Sequence, residues 1–272
     1  MGKTVLRAYA FAVYVFLFVP ILVVVALAFN GGRQVLFWEG FSTKWFGEAL
    51  HDPTITGPLR TSLEIAVANA LIACVLGTML ALALPRMRGW LRVPIDALAY
   101  MTLVTPEIVF GISALIFFVQ AGAWIGLESP LGFWSILVAH VVFNTSVVAL
   151  IVRARFVGMG QALEEASYDL GAGPLSTFRQ VTLPRLAPAI LAGGLLAFTF
   201  SFDDFVTSFF VAGAGTTTLP LRIFASLRFG VSPAINATAA MILGLTLAAI
   251  VVAYLVLRRS GETESGAGVP GV

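Results

Sequence analysis

Few side chains in this sequence can do chemistry, and most of them are carboxylates set in apolar surroundings. Asp203 and Asp204 stand side by side in Ser201-Phe202-Asp203-Asp204, inside the hydrophobic run 186–212. Glu107 follows a proline in Thr105-Pro106-Glu107, within the run 97–120. An acid in such a run costs roughly 2.5–3.5 kcal/mol to place in a bilayer, which makes a retained one a candidate for function. At about 1.5 Å of rise per residue, Glu107 lies about 16 Å from one end of its run and Asp203 about 25 Å along its own. Those positions predict two depths, with the aspartates near one membrane face and Glu107 deeper. Neighbouring residues on a helix point about 100° apart, so one of Asp203 and Asp204 is expected to face a path and the other a neighbouring helix. The structural alternatives are an aspartate pair capped or solvated at the membrane edge, and a Glu107 carboxyl that is protonated or bonded to the next helix.

His140 and Asn144 share a helix face in the run 133–152. A lone histidine there reads as an interhelical hydrogen-bonding residue. The other histidine, His51, is far away in the sequence, so a metal site is unsupported. Cys74 is the single cysteine and lies in the run 63–84, which leaves packing as its role and excludes a disulfide framework.

The second polar stretch is 163–184. Leu163, Ala166, Ser167 and Leu170 fall on one helical face; Gly171 suits a helix end, Gly173-Pro174 restarts the chain, and Pro184 is expected to close a second short helix. Glu165 and Asp169 are like charges four residues apart, a spacing that destabilises a free helix, although Glu164 and Glu165 gain from the helix N-terminus. The imbalance calls for a basic partner. Two destinations are open: Arg153, Arg155, Arg179 or Arg185 of this chain, or another protein.

These residues are positioned by a hydrophobic chain. The 272 residues are 59% hydrophobic and 11% charged, against roughly 25% charged in a soluble domain. Six runs of spanning length follow, at 8–29, 63–84, 97–120, 133–152, 186–212 and 235–257. Lys3 and Arg7 before the first run resemble a signal peptide, but the run is too long for one and reads as a retained span. Ala66, Ala70, Ala73, Gly77 and Ala81 form a small-residue stripe in the second. An even-span arrangement puts eleven basic residues on one side, from Lys3 to Arg259, and five on the other (Arg33, Lys44, Arg60, Arg222 and Arg228), so both termini and the 163–184 segment are expected in the cytoplasm. The tail 260–272 reads as disordered and residues 1–259 as one domain. No phosphate-binding G-x-x-x-x-G-K-[ST] loop is present, so ATP would be hydrolysed elsewhere. Trp45, with Trp38 and three phenylalanines in the loop 30–60, reads as an interfacial anchor.

Glu165-Ala166-Ser167, then Gly171, then Val181-Thr182-Leu183-Pro184 resembles the EAA loop of importer-type ABC permeases, with Ser167 and Val181 as size-conserving departures. The resemblance implies an all-α integral membrane protein of the type I ABC importer permease fold, six spans and a cytoplasmic coupling helix within 153–185. Glu164, Glu165, Ala166, Gly171, Leu183 and Pro184 would serve coupling to a dimer of ATPase subunits. Gly40-Phe41-Ser42-Thr43-Lys44-Trp45, Thr105-Pro106-Glu107, Ser201-Phe202-Asp203-Asp204 and Leu219-Pro220-Leu221-Arg222 further resemble the second permease subunit of bacterial spermidine/putrescine importers. That resemblance implies a polyamine path through Asp203, Asp204, Glu107, Ser201 and Trp45, where Trp45 would stack on the cation or meet a binding protein. Glu107 stands where the family often has Asp, which keeps the charge and lengthens the arm. It also implies a second homologous permease, an extracytoplasmic substrate-binding protein, a bacterial inner-membrane location, and no cofactor on this chain, with ATP and Mg on the ATPase. Another small solute, such as an amino acid or aminophosphonate, stays open as cargo. A secondary transporter with a proton or sodium relay is the other-class alternative.

Overall fold

The computed structural model describes residues 2–33, 37–160, 162–229, 232–244 and 246–247. They form helices joined by short connections, and five of the helices among the described residues are long and apolar enough to cross a membrane. The chain divides into two compact units, residues 1–56 with 223–272, and residues 57–222.

The first unit contains α1 (Gly2–Ala28), α2 (Lys44–His51) and α12 (Pro233–Gly244). Ala28 is the one buried residue of α1, so this 27-residue helix presents its apolar length outward. Its end is tied by Asn30, whose side-chain oxygen accepts the Gly32 and Glu39 backbone N–H groups at 3.2 and 2.8 Å. The Asn30 carbonyl accepts the Trp45 indole N–H at 2.7 Å, and Trp45, Ala49 and Ile55 pack with Ala28, Ala234 and Ala237 into one core. The sixth run, 235–257, is described as helix to Gly244 and again at 246–247; residues 248–257, Arg258, Arg259 and the tail 260–272 lie outside the described residues.

The second unit is built on α3 (Pro53–Ala83), α4 (Gly89–Val104), α5 (Glu107–Ile125), α6 (Phe133–Gly158), α7 (Ala162–Asp169), α8 (Pro174–Thr177), α9 (Leu183–Phe202), α10 (Val206–Val211) and α11 (Leu219–Phe229), with α3 and α11 crossing its limits. The small-residue stripe does what its spacing predicts. Ala73 and Ala81 are fully buried against Val148, Val152, Leu186 and Ala197. A Cβ on Gly77 would stand 2.7 Å from the Val148 Cβ and 2.9 Å from the Ala149 backbone nitrogen, so only glycine admits this approach of α3 to α6. Gly77→Ala is therefore expected to destabilise the protein by about 1–3 kcal/mol, the usual penalty of overpacking. A midpoint in detergent-unfolding titrations equal to wild type would show that the helices can separate without cost.

Two expected spans are broken. The run 97–120 is not one continuous helix. α4 stops at Val104 because Thr105, preceding a proline, is driven to ψ 130°, and α5 starts afresh at Glu107. The run 186–212 likewise ends at Phe202 and resumes at Val206, with Asp203 at φ −98°, ψ 2° between. Both breaks put carboxylates at helix ends. Pro184, by contrast, ends nothing. A π-helical turn at Phe178–Thr182 carries the chain from α8 directly into α9, where Pro184 occupies the first turn and its missing N–H is no loss.

Candidate functional site

The two breaks meet. Glu107 at the start of α5, Asp203 and Asp204 after α9, and His140 on α6 line one cavity of about 500 Å3, inside the roughly 300–1,000 Å3 range of small-molecule sites. Glu107 and Asp204 line this cavity as electrostatic neighbours. The expected ladder of acids at two depths is therefore corrected to a single cluster, because depth counted along continuous helices fails where both helices are interrupted. Phe110, Phe143 and Phe200 complete the wall, with ring centroids 6.2 Å apart for the first pair and 6.3 Å for the second.

Asp203 and Asp204 differ sharply. Asp203 is exposed, whereas the Asp204 side chain keeps 7% of its surface. Asp204 accepts the Thr207 and Ser208 backbone N–H groups at 3.3 and 2.7 Å, closing the first turn of α10. Its Oδ2 also faces His140 Nε2 at 3.1 Å. His140 Nδ1 lies 2.7 Å from the Ser201 hydroxyl, so α6 holds both sides of the break in the α9–α10 span. Ser201 is thus buried and spent on His140. Below this network, Asn144 donates to Asn69 Oδ1 at 3.3 Å and Asn69 donates to the Ala197 carbonyl at 2.9 Å, carrying the polar seam on to α3. The interhelical role expected for His140 is what the geometry displays. Its carboxylate partner was missed, and the signal was its helix face shared with Asn144 in a chain whose apolar runs carry few acids.

Trp45 is not available in the way expected of it. It is 6% exposed, its N–H is bonded to Asn30, and Lys44 Nζ stands 4.6 Å over its ring. The expected free indole is corrected to a core residue of the first unit, since a Trp whose N–H finds a carbonyl loses nothing by burial.

In the 163–184 segment, α7 ends in a left-handed Gly171 at φ 84°, with the Gly171 and Ala172 N–H groups bonded to the Tyr168 and Ser167 carbonyls at 2.9 and 3.0 Å. Ser167 and Thr177 hydroxyls meet at 3.0 Å across the turn. Glu164 accepts the Thr182 hydroxyl at 2.7 Å and lies 3.9 Å from Arg86. Its basic neighbour is therefore Arg86, and none of the four arginines considered from the sequence. Arg153 is taken by Asp96 of α4, an ion pair within the bundle. Glu165 and Asp169 are exposed and make no side-chain bond or ion pair among the described residues. Ala166, Leu183 and Pro184 are exposed as well, and Leu170 and Leu175 are 89% and 79% exposed on either side of the Gly171 turn. The segment thus offers an acidic and apolar surface that the described residues do not cover.

Interrupted helices around a polar cavity, an uncovered helical hairpin and no nucleotide loop define a membrane transport subunit. The family model described as "Binding-protein-dependent transport system inner membrane component" matches residues 73–261. The putrescine transport system permease protein PotI of Escherichia coli K12 is 43% identical over 234 residues, covering 85% of this chain and 83% of that protein. The spermidine/putrescine transport system permease protein PotC of Haemophilus influenzae is 36% identical over 263 residues, covering 96% and 100%. Among solved structures, a bacterial ABC transporter involved in import of the acidic polysaccharide alginate superposes with a TM-score of 0.75 at 14% identity, over 94% of both chains. The MetNI methionine ABC transporter gives 0.58 at 17% identity, over 79% of this chain and 96% of that one. The chain belongs to the binding-protein-dependent transport system inner membrane components, with the type I ABC importer permease fold; it is a transport subunit and not an enzyme.

Proposed function

We propose that this chain forms half of the membrane pathway of a polyamine importer. The observation that carries the reading is the cluster of Glu107, Asp203 and Asp204 beside Phe110, Phe143 and Phe200 in one cavity. Carboxylates this close repel one another, and a multivalent cation between them relieves that repulsion as it sheds its water. The phenyl faces add cation–π attraction, about 0.5–2 kcal/mol per contact depending on desolvation, and take the methylene chain that separates the amines. The relatives named for putrescine and spermidine transport support the same cargo.

The remaining parts follow from that role. A second homologous permease lines the other half, and an extracytoplasmic binding protein delivers cargo from the face opposite the coupling segment. Both termini lie in the cytoplasm of a bacterial cell, with the chain in the inner membrane, a reading that the excess of basic residues on that side supports. Exposed Glu165, Leu170 and Leu175 dock on a dimer of ATPase subunits, with Glu164, Ala166, Gly171, Leu183 and Pro184 holding the hairpin in shape. ATP and Mg bind to that dimer, whose closure moves the hairpin and alternates access to the cavity; no cofactor binds to this chain. The test is uptake of labelled putrescine and spermidine by cells lacking their own polyamine import, with this chain co-expressed beside its partner subunits. ATP-dependent uptake is the expected result. Assembly and ATP hydrolysis without polyamine uptake would remove the cargo assignment and leave another small solute, such as an amino acid, in its place.

A further inference from the structure

Asp203 and Asp204 are adjacent in sequence and line the same cavity, yet their surroundings are unlike. Three N–H groups reach Asp204 among the described residues, two from the backbone of α10 and one from the His140 imidazole of α6, with the Glu107 carboxyl of α5 as a neighbour in the cavity. An aspartate that accepts from three N–H groups is an acceptor with little left to give a cation. Asp203 is exposed, and no side chain of the described residues bonds to its carboxylate. Glu107 is exposed too and reaches the cavity from the free first turn of α5.

His140 sits at the centre of the difference. Nε2–H donates to Asp204, and Nδ1 accepts from the Ser201 hydroxyl on the last turn of α9. Ser208 Oγ lies a further 3.4 Å from Nε2. One buried imidazole thereby joins the end of α9, the start of α10 and the middle of α6. Without it, the interruption between Phe202 and Val206 has no side chain fastening it to α6 from both sides. Two buried polar groups, Asp204 and Ser201, would also lose a partner.

We propose that Asp204 is a clasp that His140 positions, holding the interrupted span in shape, and that Asp203 and Glu107 are the carboxylates that meet the cargo. The proposal rests on the cation-transport reading, and it divides that reading's three acids into two jobs. His140 is a positioning residue: it acts through Asp204 on the shape of the break, where the conformational step of transport is felt, and does not itself contact the cation. Its loss therefore slows turnover more than it weakens cargo capture, whereas loss of Asp203 weakens capture.

The test uses the complete transporter in proteoliposomes, in a Cys74→Ala background. His140→Phe and Asp204→Asn are each expected to lower the maximal rate of putrescine uptake about tenfold with KM within about twofold of wild type, and the double variant to be no slower than either single one, because both cut the same clasp. His140→Gln, which keeps an N–H donor, is expected to recover most of the rate in a complex that assembles normally. Asp203→Asn is expected to raise KM about tenfold, an effect that multiplies with that of His140→Phe, since the two sit in separate jobs. Multiplying effects of His140→Phe and Asp204→Asn, or a rise in KM for Asp204→Asn equal to that for Asp203→Asn, would overturn the division. A second arm does not depend on cargo. Cationic methanethiosulfonate is expected to label an Asp203→Cys thiol at least about tenfold faster than an Asp204→Cys thiol, a ratio that corresponds to the free against the enclosed position. Equal labelling overturns the proposal. Should wild-type transporter import no polyamine, the cargo reading fails alone, and the labelling still decides between the two aspartates.

Discussion

Glu165→Lys is expected to leave the transporter assembled and hydrolysing ATP while ATP-driven uptake falls at least tenfold. The reason lies in what Glu165 lacks. It stands on α7 with no partner of its own chain among the described residues, beside Asp169 and within an uncovered surface that includes Leu170 and Leu175. If a basic face of the ATPase supplies that partner, reversing the charge sets like charges against each other, which costs several kcal/mol in a closed interface. A hairpin that no longer follows the ATPase cannot open the cavity, so hydrolysis continues without transport. Glu164→Gln should behave differently, because Glu164 is already held by Thr182 and Arg86, and its loss loosens the hairpin from within. Side-by-side assays of ATP hydrolysis and uptake check this. Uptake by Glu165→Lys at the wild-type ratio to hydrolysis would end the coupling role of this residue.

Glu107→Gln combined with Asp203→Asn is expected to reduce polyamine uptake at least a hundredfold at low substrate concentration, the larger part of it in KM. Both side chains are exposed in the cavity, and removing both leaves Asp204, which is bonded to His140 and to α10, as its remaining carboxylate. A hundredfold corresponds to about 2.7 kcal/mol, modest for two charge-assisted contacts to an ammonium at about 1.5–3 kcal/mol each. The amide side chains keep size and hydrogen bonding, so packing of α5 on α10 should persist and the detergent-purified complex should elute unchanged. Uptake within a few-fold of wild type would mean that the cation passes without using these carboxylates, and the cavity would lose its assigned part.

Much of this molecule was legible in the chain alone, for reasons that can be named. A bilayer imposes long apolar runs, and those runs located the spanning segments, although α3 begins well before its run and the runs 97–120 and 186–212 each prove to be two helices. The stripe Ala66, Ala70, Ala73, Gly77 and Ala81 announced a close helix contact because lipid offers no hydrophobic gain for association, leaving small residues as the means of approach. Gly171 announced the turn after α7 because a left-handed backbone favours glycine there. The spaced pattern from Glu165 to Pro184 identified the family, although not the course of the backbone, since Pro184 fits the first turn of α9 as comfortably as it ends a helix.

Where the chain was misleading, the cause was distance along it. Trp45 looked like a surface aromatic because no local pattern shows that the Asn30 carbonyl, 15 residues earlier, awaits its N–H. Arg86 and Asp96 were overlooked as partners because ion pairs between separate helices leave no periodic trace. The fold itself says nothing of cargo, since an importer of the acidic polysaccharide alginate has the same one.

What the sequence determined by itself is the class of the protein, the number and rough limits of its apolar runs, the family pattern in 163–184, and which carboxylates are anomalous in their surroundings. These are local properties, set by composition, by period and by the insertion cost of single residues. What only the tertiary structure decided is that Pro106 and Asp203 interrupt two helices at one level, that Glu107, Asp203 and Asp204 meet there, and that His140 claims Asp204 and leaves Asp203 open. Such choices depend on which side chain completes another's hydrogen bonds across three helices, and that is a property of their packing.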